Sequence, residues 1–173
     1  MPTPSETRRR TPLLSLRLAP PWAFIDEVRK FVQAFCGSAC PGADREAHIA
    51  LAVHELMQNA VSVSSEGEVA LDLEIDPDAD RVVVQVANAC TPAAAAALQA
   101  RIERMNREPD ALKQYLRTMA ESPPAVRGGL GLARVRFESQ LDLDARFDAG
   151  WVTVRASGKL RAPTIPQPRV KNA

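Results

Sequence analysis

The sequence predicts an α+β domain, and three observations carry that reading. Two stretches alternate in the two-residue period of half-buried strands: Val69, Leu71, Leu73 and Ile75 against Ala70, Asp72 and Glu74, then Leu141, Leu143, Ala145 and Phe147 against Gln140, Asp142, Asp144 and Arg146. A run at about residues 45–61 carries Ile49, Leu51, Ala52, Val53, Leu56, Met57 and Ala60 on more than one side of a helix, which makes it largely buried. No internal repeat or linker splits the chain, so residues 13–158 read as one domain between a flexible N-terminal arm (1–12) and a flexible C-terminal tail (159–173).

The elements follow in order. Leu14, Leu16 and Leu18 alternate with Ser15 and Arg17, a short strand that Pro20-Pro21 stops. Trp22, Ile25, Val28, Phe31, Val32 and Phe35 fall at helical spacing, with Asp26, Glu27, Arg29 and Lys30 opposite. Asp44 is the expected N-cap of the buried helix. After a turn at 62–67 come the strand at 69–75, turn chemistry at Pro77-Asp78-Ala79-Asp80, and a more continuous apolar strand over 82–87, central in a hairpin pair. Thr91-Pro92 opens an alanine-rich helix over about 93–105. A second helix follows over about 110–120, with Leu112, Tyr115, Leu116 and Met119 spaced to pack. Leu132, Val135 and Phe137 predict a helix from Gly131, and Asp148-Ala149-Gly150 joins the last two strands in a closing antiparallel hairpin.

Composition excludes several classes. The 173 residues are 46% hydrophobic and 25% charged with a formal net charge of +1, ordinary for a soluble globular protein and unlike a nucleic-acid binder. The one basic cluster, Arg8-Arg9-Arg10, lies in the Pro/Ser/Thr-rich arm. No apolar run approaches the ~20 residues that span a bilayer, and the start lacks the apolar core of a signal peptide, so cytoplasmic residence without a membrane role is expected. Cys36, Cys40 and Cys90 do not form a disulfide framework, and with two histidines a zinc site is not expected.

Two motifs carry chemistry. In His54-Glu55-Leu56-Met57-Gln58-Asn59, Glu55 and Asn59 lie one helical turn apart on one face. A carboxylate there takes a proton, and a carboxamide oxygen is a hard ligand for Mg²⁺. On a mostly buried helix these groups either open onto a ligand or satisfy local backbone. The second motif, Gly128-Gly129-Leu130-Gly131-Leu132, feeds a helix N-terminus, where glycines let backbone N–H groups approach an anion and Arg127 adds a charge. It lacks the Lys and Ser/Thr of a Walker loop. His54, about 100° round the helix from Glu55, is expected to face away from this pocket.

The order of parts resembles the GHKL (histidine kinase/HSP90-like) family of ATP-binding domains, and within it the anti-sigma factor and SiaB-like Ser/Thr protein kinase type. The middle of the chain carries the likeness through Asn88 at a strand end, Asn106, Lys113 with Tyr115, and Gly129-Leu130-Gly131-Leu132. The resemblance covers about residues 13–156. It implies a two-layer α/β sandwich of the Bergerat (GHKL-like) kind, with a mixed, mostly antiparallel sheet and helices on one face. It further implies Glu55 as the catalytic base, Asn59 as the Mg²⁺ ligand, and Asn88 against the adenine amine. Arg127, Gly128, Gly129, Leu130, Gly131 and Leu132 would wrap the phosphates, with residues 93–127 in place of the lid.

The activity so implied is that of a bacterial partner-switching regulator. It would bind Mg-ATP and phosphorylate a Ser or Thr of a STAS-like anti-sigma-antagonist protein, with a sigma factor as a further partner and a homodimer as the assembled state. The family's usual Asp-x-Gly is Asn88-Ala89-Cys90 here, and Arg127 stands for the leading Gly of the loop. Those departures motivate the alternative of a catalytically weak or inactive module that sequesters a regulatory partner without turnover.

Overall fold

Three rows of side chains, read across the strands, set the architecture. The structure, a computed structural model, describes residues 13–20, 22–64, 67–121 and 130–161. The expected arm at 1–12, the tail beyond 161, and Arg127, Gly128 and Gly129 lie outside the described residues. Among the described residues a short 3₁₀ turn at Trp22–Phe24 accompanies ten longer elements: β1 (Leu14–Leu18), α1 (Ile25–Ala39), α2 (Glu46–Val63), β2 (Val69–Asp76), β3 (Arg81–Ala89), α3 (Pro92–Asn106), α4 (Ala111–Glu121), α5 (Gly131–Phe137), β4 (Asp142–Asp148) and β5 (Trp151–Lys159). The strands form one sheet in the order β1-β2-β3-β5-β4, and every pairing is antiparallel.

The register aligns Leu14, Leu73, Val84, Ala156 and Leu143 in one row and Leu16, Leu71, Val86, Val154 and Ala145 in the next. Both rows point to the same face because strand side chains alternate with period two. That face takes the helices: α2 lies on β2 and β3, α3 and α5 reach β4, and α1 packs on α2 as the outer helix. The other face shows Asp72, Gln85, Arg155 and Asp144 to solvent. The result is an α+β two-layer sandwich, as expected. Each Leu or Val buried in these rows contributes about 1.5–3 kcal/mol relative to exposure.

Local chemistry explains several boundaries. Thr91 caps α3 by accepting from the Ala94 N–H at 3.2 Å, with Pro92 in the first turn. Asp44 does not cap α2. It sits in the left-handed region at φ 52°, and the N-cap position falls to Arg45, which makes no side-chain cap bond. Arg45 is instead drawn inward, where its Nη2 donates to the Ser139 carbonyl and ties the start of α2 to the loop after α5. β5 runs to Lys159 and Leu160 is buried, so the packed unit extends past the expected end at 158.

Two helices depart from their expected packing. On α1, Ile25, Val28, Val32 and Cys36 are buried while Phe31 is exposed and stacks on Phe35. On α4 the expected core stripe faces outward: Leu112 is 46%, Leu116 54% and Met119 49% exposed. The buried residue of α4 is Gln114, and Tyr115 stacks on Phe137 of α5 at 5.2 Å.

Candidate functional site

The site expected from the sequence assembles where α2 meets α5. Glu55 points from the middle of α2 at the first residue of α5. A Cβ added to Gly131 would lie 2.5 Å from Glu55 Oε2, so glycine at 131 is what lets the carboxylate approach the helix start. Glu55 Oε1 accepts from Arg134 Nη1, one turn further along α5. Arg134 also donates from Nε to Glu138 Oε1 at 2.8 Å and from Nη2 to Glu138 Oε2 at 3.2 Å. One guanidinium thus joins two carboxylates, and its pKa is pushed up, first by the hydrogen bond to Glu138.

Asn59, one turn below, is half-buried, and its Nδ2 is buried without a partner among the described residues. Its own carbonyl accepts from Ser62 Oγ at 2.7 Å. Asn88 lies in the third row of the sheet, Leu18–Val69–Asn88–Val152–Phe147. It is 1% exposed and donates from Nδ2 to the Ala89 carbonyl at 3.1 Å. Leu132 is a core residue, and Leu130 precedes α5 at its N-cap. His54 turns away from this face toward α1, with Nδ1 3.4 Å from Asp26 Oδ1 in ion-pair range but without hydrogen-bond geometry.

The structure therefore brings Glu55 and Gly131 into contact, keeps Asn59 on the same face of α2, and leaves Leu132 in the core. Arg134 was not among the expected site residues. Its i,i+4 pairing with Glu138 has a sequence signal, but its reach to Glu55, 79 positions away, has none. The other residues that carried the family likeness do structural work. Asn106 Nδ2 donates to the Leu143 carbonyl at 2.9 Å, Lys113 pairs with Glu108 at 3.0 Å, and Tyr115 stacks on Phe137. Among the described residues no cluster of His, Cys, Asp and Glu is placed to hold a metal, and no helix is long and apolar enough to cross a membrane.

No protein-family model matches the chain, and no curated protein matches it. Among solved structures it is similar to a chain in the crystal structure of the SiaB–SiaC complex from Pseudomonas aeruginosa, with a TM-score of 0.66 and 18% identity over 87% of this chain and 91% of that one. This corrects the family assignment drawn from the motifs. The likeness supports the fold of a chain from that complex and does not carry membership of the GHKL ATPases. Glu55-x-x-x-Asn59 and the short glycine loop are too brief to carry it either; Glu55 is engaged by Arg134, and the Asn88 amide donates to the Ala89 carbonyl. At 18% identity, what the likeness establishes is the α+β fold.

Proposed function

We propose that this chain is a regulatory module that binds a partner protein without turnover. The observation that carries the reading is the outward stripe of Leu112, Leu116 and Met119 on α4. Positions i, i+4 and i+7 share one helix face, the pattern by which a helix lays apolar anchors against a partner. An unpartnered stripe of this kind marks an interaction surface more often than an accident of folding. The fold likeness to a chain solved in a two-protein complex supports the same reading. The partner proposed is a small STAS-like regulatory protein, and Phe24 and Phe31, exposed on the α1 side, are the surface proposed for self-association.

A second reading adds Mg-ATP and phosphoryl transfer to a Ser or Thr of that partner. The observation in its favour is Asn59, one turn from Glu55 on the same face of α2, whose amide nitrogen is buried without a partner among the described residues. Asn59 would offer its carboxamide oxygen to the metal and Glu55 would accept the hydroxyl proton. The pairing of Glu55 with Arg134 weighs against the base role.

One experiment separates the two. A STAS-domain protein is titrated into the wild type and into Leu116→Asp, with and without Mg-ATP, and complex formation and phosphate transfer are both read. The first reading expects a complex that forms without ATP and weakens at least tenfold in Leu116→Asp, while the thermal melt is unchanged. Equal affinity in both proteins sinks the α4 surface. Transfer that stops in Glu55→Gln replaces the first reading by the second.

A further inference from the structure

The apolar stripe of α4 does not end at Leu112. That side chain also lines a hollow of about 510 Å³ where the start of α4, the end of α5 and the start of β4 come together. Half-buried Phe137 forms part of its wall and is held by its stack on Tyr115 at 5.2 Å. An exposed leucine ridge that runs into a hollow with a fixed aromatic wall is a surface suited to an anchoring side chain.

The charges around the hollow say what accompanies that anchor. Asp110, just before α4, and Asp142, at the head of β4, both line it and both are exposed. Asp110 Oδ1 accepts the Lys113 N–H at 3.0 Å, an N-cap contact, and neither carboxylate has a basic side chain in ion-pair range among the described residues. The Lys113 ammonium is taken by Glu108 at 3.0 Å. Arg136 is the one cation among the described lining residues. Its Nη1 donates to the Met105 carbonyl at 2.6 Å and its Nη2 to the Glu108 carbonyl at 3.2 Å, so it is turned toward the end of α3. Two carboxylates against one guanidinium leave one negative charge. The helix dipoles change this little: the α4 N-terminus offsets part of the Asp110 charge, and the α3 C-terminus offsets part of the Arg136 charge. The surplus is local, since the whole chain carries +1.

We infer that the partner held on α4 presents a bulky apolar side chain flanked by lysine or arginine, the apolar group in the hollow beside Leu112 and Phe137 and the cation against Asp110 and Asp142. The volume holds a leucine or phenylalanine together with the stem of a basic side chain, whose methylenes cover apolar wall while the charge reaches the rim. Charge complementarity of this kind sets register and rejects partners of the wrong sign. This rests on the partner-binding reading of α4 and adds the chemistry of the segment that docks there.

Calorimetry on the full chain tests it with three capped peptides of equal length: leucines flanked by lysines, the same leucines flanked by glutamates, and serines flanked by lysines. The lysine–leucine peptide is expected to bind most tightly, and its lead over the glutamate peptide to narrow as salt is raised. Asp110→Asn with Asp142→Asn keeps an N-cap side chain, removes both charges, and is expected to weaken the lysine–leucine peptide roughly fivefold. Asp148→Asn, an exposed carboxylate at the far end of β4 that does not line the hollow, leaves it unchanged. The inference is overturned by glutamate-peptide binding of equal strength, by serine-peptide binding of equal strength, by equal losses in the double variant and Asp148→Asn, or by no binding at millimolar peptide. Dimerisation of the chain that the double variant abolishes would put a second copy in the hollow and overturn it as well. Leu116→Asp separates the two proposals. Binding that weakens there yet shows no charge preference sinks this inference alone, and a charge preference that survives with affinity unchanged there sinks the α4 stripe alone.

Discussion

Alanine at Gly131 asks whether Glu55 is pinned at the start of α5. A Cβ there would lie 2.5 Å from Glu55 Oε2 and 3.5 Å from its Cδ, so the carboxylate must move. The end of a glutamate side chain moves cheaply when it is free. Here its other oxygen is held by Arg134, which Glu138 braces through two bonds of 2.8 and 3.2 Å. Breaking a hydrogen bond to a charged group costs about 1.5–3 kcal/mol when buried. The Arg134 side chain is 35% exposed, so solvent screening brings the loss to roughly 1 kcal/mol. Replacing Gly by Ala within a helix returns up to about 1 kcal/mol, and less at its first residue. Gly131→Ala alone should therefore lower stability modestly. In a Glu55→Ala background the obstacle is gone, and the same substitution should be neutral or stabilising. Urea unfolding of the four proteins gives the coupling, expected at about 1 kcal/mol. A coupling below roughly 0.3 kcal/mol, the usual limit of additivity, refutes the pinned carboxylate.

Two further expectations concern the turn and a thiol. The β4–β5 turn holds Ala149 at φ 48° and Gly150 at φ 83°, and a left-handed alanine costs about 1–2 kcal/mol. Ala149→Asn, which tolerates that region, should raise the thermal midpoint by about 2–4 °C for each kcal/mol recovered, and a lower midpoint contradicts the turn geometry. Burial, then Cys40 and Glu46, pushes the Cys36 thiol from 9.0 up to about 12. A raised folded-state pKa makes the neutral thiol the form that folding favours. Its contribution is complete below pH 9 and falls by about 1.4 kcal/mol per unit as pH rises toward 12. The wild type should lose stability over that window faster than Cys36→Ala, and parallel profiles contradict it.

What the sequence disclosed depended on the range of the signal. Period-two runs located β1, β2 and β4, and Thr91-Pro92 located the start of α3, because alternation and capping are properties of adjacent residues. The stripe on α4 shows where that reasoning stops. Spacing groups Leu112, Leu116 and Met119 on one face but does not say which way the face turns. The aromatic contact of Tyr115 with Phe137 and the inward Gln114 settle it. Arg45 had no sequence mark of burial, since its partner Ser139 lies 94 positions away. At the candidate site, Glu55 and Gly131 were legible as motifs, while the arginine that engages Glu55 was not. Ion pairs between distant helices leave no periodic trace.

The strand order carries a consequence for how the chain folds. β2–β3 and β4–β5 are hairpins between neighbours in sequence, but β3 and β5 meet in register from Ala89↔Trp151, 62 positions apart, to Arg81↔Lys159, 78 apart. Closing so long a loop costs entropy before any contact repays it, so this seam is the slow joint of the sheet. Asn88 and Val152 face each other across it, and α3, α4 and α5 are strung between its two sides. Helices and hairpins can therefore form early without any surface being finished. The α2–α5 contact, itself 79 positions apart at Glu55 and Arg134, awaits the same kind of late event, and a substitution that slows the seam is expected to delay it as well.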